Sequence, residues 1–276
     1  MPRMLVGHVA IGYDDEGEGT PVALIHEFTL DRRMWTPQVP ALLAAGYRVL
    51  RVDLRGHGDS DAPPTGYAPE DHASDLHNLF DILGIPSAHI VGLSLGAGVA
   101  AAFAEEYPRR VRSLTLINPF LPGRPFGPET TQLLREFFET AQRGDLESAL
   151  ARIWAPSRLF WPTRTDPDKA RLIDLMFSRF SPVLFYDRAP RRPGPSVADR
   201  LGEIDAPTLV LLGSLDLPDF HTFGEICARA IAGAVLRTIA TGSHLANMDQ
   251  PEAVNAALIA FFREVDGQPE EAEFHN

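Results

Sequence analysis

Gly92-Leu93-Ser94-Leu95-Gly96 constrains the fold of this chain more than any other segment. It ends an apolar run, His89 to Leu93, that reads as a buried strand, and it opens an Ala-rich helical stretch, Leu95 to Tyr107, halted by Pro108. A strand that turns straight into a helix leaves almost no room for neighbouring side chains, which accounts for the glycines flanking the serine. Ser94 is then held at a sharp point above a sheet. A five-residue motif alone arises by chance; the strand–turn–helix setting gives this one its weight.

The same alternation runs along most of the chain. Met4 to His8 and Val9 to Tyr13 read as a hairpin, followed by a solvated acidic turn at Asp14-Asp15-Glu16 with Glu18. Val22 to His26, Tyr47 to Asp53, Val111 to Ile117, Thr208 to Gly213 and Ala234 to Ala240 are strand-like. Helical patterns cover Trp35 to Ala45, closed by Gly46, and Pro69 to Leu83, closed by Gly84. Two more cover Thr222 to Ala232, and Pro251 to Arg263 with proline at its first position. Strands separated by helices imply βαβ units, hence an α/β fold with a mostly parallel sheet covered on both faces. The opening hairpin adds antiparallel strands at one edge.

From Phe120 to about Arg200 the rhythm breaks. Thr130 to Gln142, Leu146 to Trp154 and Asp168 to Phe180 are helical patterns with no strand between them. Prolines crowd both margins, at 119, 122, 125 and 128 and then at 190, 193 and 195. Eleven of the chain's twenty-four Phe, Tyr and Trp residues fall in this interval, the material of a small core of its own. A helical insertion between two strands, covering the strand ends, is the economical reading. Some of its aromatic residues must then face a cleft, which favours an apolar or aromatic ligand.

A serine hydroxyl is a poor nucleophile without a base, and the base needs an orienting acid. His244 stands in Thr241-Gly242-Ser243-His244, after one strand and before the last helix. Asp216 stands in Gly213-Ser214-Leu215-Asp216-Leu217-Pro218, after the preceding strand. Ser94, Asp216 and His244 thus follow three strands in the order serine, acid, histidine, and all three converge on one end of a parallel sheet. Asp216 could instead cap a helix beyond Pro218, and His244 could be a plain loop residue, but neither reading explains the order.

With these residues in place, the chain resembles the α/β-hydrolase superfamily, and within it the capped esterase, lactonase and C–C hydrolase branch that includes 3-oxoadipate enol-lactonases. The likeness spans nearly the whole core. It includes Asp53-Leu54-Arg55-Gly56-His57-Gly58-Asp59-Ser60, similar to the family's DxRGHGxS loop, and the closing Gln250-Pro251-Glu252. The resemblance implies an eight-stranded, mostly parallel sheet flanked by helices, with a helical cap inserted after the sixth strand. Residues 1–119 and 201–265 would form the core, 120–200 the cap and 266–276 an acidic tail. It also implies an oxyanion hole made by the backbone N–H groups of Phe28 and Leu95. Some members carry the acid after the sixth strand, where this chain has Asn118, so Asp216 is the expected acid and Asp219 a distant second. The activity implied is a cofactor-free serine hydrolase that cleaves a carboxylic ester or lactone of a small, largely apolar substrate. The same fold also serves C–C bond hydrolysis, acyl transfer, lyase reactions and non-catalytic ligand reception.

Charge and composition narrow the rest. The formal net charge of −12 argues against nucleic acid as a partner, because phosphate contacts need clustered Lys and Arg. The interval from Phe120 to Arg192 is nonetheless net basic, twelve Lys or Arg against nine Asp or Glu, which would suit an anionic substrate if those charges faced the cleft. The longest apolar stretches are too short to span a bilayer, and the N-terminus lacks a signal-peptide pattern. One cysteine, Cys227, fits a buried inert thiol in a reducing compartment, so a cytoplasmic enzyme is expected. No Cys/His cluster has zinc spacing, and no metal is expected. A monomer or homodimer acting on a small molecule is the expected form. His57, between two glycines, and His26 read as structural, and the other histidines show no usable pairing.

One residue departs from the family's pattern. In Val22-Ala23-Leu24-Ile25-His26-Glu27-Phe28 the glycine that normally follows the histidine is Glu27. Backbone at position 27 must therefore accept a Cβ. A carboxylate aimed at a developing oxyanion would oppose ester hydrolysis, so Glu27 must point away, be neutral or pair with a cation, for which Arg55, Arg32 and Arg33 are candidates. The functional alternative makes Glu27 an extra acid or base that positions water or an amine.

Overall fold

Val22-Ala23-Leu24-Ile25 are all fully excluded from solvent. A continuous apolar run, rather than an alternating one, is what a strand needs when both faces of its sheet are covered. The computed structural model describes residues 2–187 and 194–267, and in it eight strands are formed: β1 (Arg3–Val6), β2 (Val9–Glu16), β3 (Thr20–Ile25), β4 (Tyr47–Val52), β5 (Ala88–Leu93), β6 (Val111–Ile117), β7 (Thr208–Gly213) and β8 (Val235–Ile239). They make one open sheet in the order β1-β2-β4-β3-β5-β6-β7-β8. From β4 onward every pair is parallel, and β1 and β2 add the antiparallel edge. The strand order reverses beside β3, so β3 and β5 flank the place where ligands settle in open α/β sheets. Among the described residues no helix is long and apolar enough to cross a membrane.

Helices Pro69–Leu83, Leu95–Glu106, Pro218–Ala230 and Pro251–Val265 cover the sheet. Cys227 is buried in the third of these, and burial pushes its thiol up to about 12, which leaves it unreactive. Pro218–Ala230 begins four residues before the expected start, with Pro218 at its first position and Leu217, not Asp216, as the N-cap. The expected helix from Trp35 to Ala45 is divided: a 3₁₀ turn, Arg32–Trp35, precedes a short helix, Val39–Ala44. Pro37 has no N–H to give and its ring opposes a continuous helix there.

The acidic stretch Asp14-Asp15-Glu16 is not a solvated turn. It is the end of β2, in register with Arg51, Leu50 and Val49 of β4. Asp15 holds Arg48 (2.7 Å), Glu16 holds Arg51 (2.8 Å) and Asp14 also reaches Arg51 (3.1 Å), so the carboxylates are cross-strand partners, and Asp14 holds Arg32 (2.9 Å) besides. The acidic tail assigned to 266–276 starts with a docked residue, since Asp266 is buried against Arg112 (2.7 Å) and His89 (3.3 Å). Residues 268–276 lie outside the described residues, as do Pro190, Pro193 and His275.

Between β6 and β7 the described residues form helices Pro128–Gln142, Leu146–Ser148, Pro167–Phe177 and Val197–Arg200, with a π-helical turn at Ala149–Trp154 and no strand. Phe137, Trp154, Phe160, Ile173, Met176 and Phe185 are buried in this segment. Phe28, from the loop after β3, enters that cluster and meets the rings of Phe137, Phe138, Trp154, Phe180 and Phe185 with centroids 5.4–6.3 Å away. One side chain of the sheet's loops is thus part of the insertion's packing.

Candidate active site

Ser94 has φ 53° and ψ −114°, a backbone conformation that a residue with a Cβ holds only when its surroundings force it. The surroundings do so. A Cβ on Gly92 would overlap the Gly96 carbonyl, and one on Gly96 would overlap the carbonyls of Ile25 and His26. The Ser94 N–H donates to Ile117 O (3.0 Å) and its own carbonyl accepts from Phe120 N–H (3.1 Å), which fastens the turn to the end of β6.

His244 and Asp216 come from the loops after β8 and β7, which are laced together. Ser214 N–H donates to Ile239 O (3.0 Å), Leu215 N–H to Gly242 O (2.8 Å), and Thr241 N–H to Ser214 Oγ (2.9 Å). A side chain on Gly213 would overlap the Ser243 carbonyl, so only glycine lets the two loops close this far. The result is His244 Nδ1 at 2.8 Å from Asp216 Oδ2, with both side chains almost fully buried. Asp216 Oδ1 accepts from Leu217 N–H (2.7 Å), which holds the second carboxylate oxygen as well. Such a pair fixes the imidazole with a proton on Nδ1 and leaves Nε2 free to act as a base.

Asn118, at the position after β6, serves the same loops. Its amide donates to the carbonyls of Ser243 and His244 (both 2.9 Å) and accepts from Gly213 N–H (2.8 Å), from a left-handed backbone with φ 42°. Asp219 faces elsewhere: it accepts from Gly127 N–H (2.8 Å) and from the Thr130 hydroxyl, both in the insertion. Asp249 accepts from Ser243 N–H (2.8 Å) and from the hydroxyls of Ser243 and Thr163, tying the insertion to the residue beside His244. None of these supports stood out in sequence. Asn118, Asp219 and the Asp249–Thr163 contact draw on partners between 86 and 126 residues away, which leaves no local signal.

The loop after β3 is built on histidines. His26 donates from Nδ1 to Glu27 O (2.7 Å) and accepts from Leu54 N–H at Nε2 (2.9 Å). Burial lowers its pKa to about 3, with the neighbouring His57 pulling the same way, so the ring is neutral. The two ring nitrogens of His57 lie against Phe28 O and Arg55 O, the neutral ring donating to one of them, and burial depresses its pKa too. Both rings are anchors of the loop.

Glu27 is buried, at 1% exposure, and Oε1 accepts from the N–H (2.8 Å) and the hydroxyl (2.9 Å) of Thr29. Trp154 of the insertion donates its indole N–H to the same hydroxyl (2.8 Å). Glu27 is not among the residues with positive φ, so its Cβ brings no backbone strain. The expected cation partners are engaged elsewhere. Arg55 is paired with Asp75 (2.7 Å), Arg33 with Asp31 (2.5 Å), and Arg32 with Asp53, Asp14 and Asp59. Burial raises the Glu27 pKa, against the opposing pull of His244 and of the Thr29 hydrogen bonds.

A cavity of about 210 Å³ joins these parts, lined by Ser94, His244, Glu27, Phe28 and Leu95 from the sheet's loops and first helix turn. Phe120, Phe126, Thr130, Leu134, Phe138, Trp154, Leu159 and Phe220 complete the wall. Asp216 stands behind His244 and does not line it. Among the described residues no Lys or Arg lines it either. Arg164 with Asp174 and Arg171 with Asp168 pair away from the cavity, and Arg188, Arg191 and Arg192 lie outside the described residues. Among the described residues no group of three His, Cys, Asp or Glu side chains could hold a metal ion.

Comparison with known proteins places this geometry. The family model described as "alpha/beta hydrolase fold" matches residues 20–251. A thermophilic esterase from Thermogutta terrifontis superposes with a TM-score of 0.80 at 32% identity, covering 93% of this chain and 94% of that one. The enol-lactonase from Burkholderia xenovorans LB400 gives a TM-score of 0.83 at 26% identity over 95% and 99% of the two chains. A bromoperoxidase from Bacillus anthracis gives 0.78 at 27% identity over 92% and 96%.

Proposed function

The chain belongs to the α/β-hydrolase family, and from that premise we propose that it is a serine hydrolase acting on a carboxylic ester or lactone. The observation that carries the reading is the His244–Asp216 pair, 2.8 Å apart, with His244 and Ser94 lining one apolar cavity. The esterase and enol-lactonase likenesses support hydrolase chemistry in this fold.

In this reading Ser94 Oγ attacks the carbonyl carbon while His244 Nε2 takes its proton. Asp216 stabilises the imidazolium at Nδ1. The backbone N–H groups of Phe28 and Leu95 receive the oxyanion, a contribution typically of several kcal/mol. The intermediate collapses, the C–O bond to the leaving group breaks, and that oxygen takes the proton back from His244. Water then gives a proton to His244, attacks the acyl-enzyme and releases the acid, restoring Ser94. Residues 120–200 act as a cap on a core formed by 1–119 and 201–265, and no step calls on a cofactor. The mostly apolar wall fits a small, largely apolar substrate. It also gives a second reading, acyl transfer to a nucleophile other than water, which product analysis with competing alcohols or amines separates.

Ser94→Ala tests the reading. Hydrolysis of a panel of short esters and lactones and labelling by a fluorophosphonate probe should both be lost, with the circular dichroism unchanged. Undiminished hydrolysis by that variant would overturn it.

A further inference from the structure

We propose that Glu27 makes this cavity selective for substrates that carry an ammonium group, an inference that rests on the ester or lactone hydrolase reading and adds a substrate class to it. Glu27 lines the cavity with Ser94 and His244 and is almost wholly withdrawn from solvent. Among the described residues it has no salt-bridge partner, and the guanidiniums of Arg32, Arg33 and Arg55 are held by other carboxylates. Its hydrogen bonds, from the N–H and hydroxyl of Thr29 to Oε1 and from the Leu30 backbone N–H, all come from neutral donors. A buried carboxyl without a counter-ion is costly as the anion, and burial accordingly holds the proton on it more tightly than usual. A cation entering the cavity removes that penalty.

The rest of the wall suits the same guest. Phe28, Phe120, Phe126, Phe138, Trp154 and Phe220 surround the space, and aromatic faces attract a desolvated cation. Among the described residues His244 is the one basic side chain in the wall, and no Lys or Arg lines the cavity to repel the cation. The chain's net charge of −12 raises the local concentration of cations over that of anions. One carboxyl among aromatic rings therefore discriminates by charge: a neutral alkyl group of equal shape gains only apolar contact, and an anionic group is repelled.

The test is a pair of isosteric esters, 2-(trimethylammonio)ethyl butyrate and 3,3-dimethylbutyl butyrate, which differ in charge and hardly in shape. For the wild type, kcat/KM should be about tenfold higher for the cationic ester, the ratio that carboxylate pairing and ring-face attraction of this kind support. In Glu27→Gln, which keeps an acceptor oxygen for Thr29, the ratio should fall to about one. Any effect of Glu27 on Ser94 or His244 is common to both esters and cancels in the ratio. Equal rates in the wild type, preference for the neutral ester, or a preference that survives Glu27→Gln each overturns the proposal. If the folded wild type hydrolyses neither ester and takes no fluorophosphonate label, the hydrolase reading fails instead. Calorimetric titration with butyltrimethylammonium and with 3,3-dimethylbutanol then decides the cation site alone. Tighter binding of the cation, lost in Glu27→Gln, upholds it; no difference overturns it.

Discussion

Asp216 meets His244 through Oδ2 at 2.8 Å, while Asp219, three residues further on, is spent on the insertion. The two acids therefore separate by assay. Asp216→Asn should lower kcat by about 10³–10⁴-fold with the fold intact, because the amide favours the wrong imidazole tautomer. Asp219→Asn should leave kcat within a few-fold and cost about 1 kcal/mol of stability through weaker hydrogen bonds to Gly127 and Thr130. Steady-state kinetics and urea unfolding of both variants check this. A collapse of kcat in Asp219→Asn would reverse the assignment.

Asn118 cannot become the acid that other family members keep after the sixth strand. Its amide gives two hydrogen bonds, to Ser243 O and His244 O, and a carboxylate there would face both carbonyls with no proton to offer. Asn118→Asp should destabilise by about 2–3 kcal/mol at neutral pH, the usual cost of a buried polar group left unmatched. It should also fail to restore activity to Asp216→Asn. Denaturant midpoints and kinetics of the single and double variants decide the matter.

Acid should weaken the fold through His26. Its pKa is lowered from 6.5 to about 3 in the folded protein, so between those values the unfolded chain binds more protons. Stability is complete above about pH 6.5 and declines as pH falls, by about 1.4 kcal/mol per pH unit for one such group. His57 and His72 are also held neutral by burial and add to the slope. Unfolding free energies from pH 7.5 to 5 should show the decline, and His26→Asn should lose about one proton of it.

Glu105 works in the opposite sense. Burial, aided by Glu203, Glu70 and Glu106, raises its pKa from 4.5 to about 8, although Arg200 lies 2.9 Å away and pulls it down. The folded protein then binds the extra proton, so stability is greatest below about pH 4.5 for this group and is lost as pH rises through 8. Glu105→Gln should flatten the Tm profile between pH 6 and 8.5, and an unchanged profile would count against the raised value.

What the sequence discloses is what is local. Ser94 between glycines, the fully buried run at Val22–Ile25 and the prolines opening two helices each act within a few residues, and each is visible before folding. Asp14-Asp15-Glu16 is misread because Arg48 and Arg51, which make it a strand, lie more than thirty residues on. The fate of Glu27 is hidden for a like reason. Three nearby arginines invite pairing, and only the folding back of Asp53, Asp59 and Asp75 withdraws two of them, while the adjacent Asp31 holds the third. The break at Pro37 is different, since the residue that causes it stands in plain view.

The five rings around Phe28 bear on how this scaffold can be remodelled. Phe28 hangs from the loop after β3 but packs in the segment between β6 and β7. A segment grafted from a relative must offer it a matching socket, or the loop that carries its N–H loses its fastening. The segment between β6 and β7 is therefore not a detachable module: position 28 has to travel with any version of it that is exchanged.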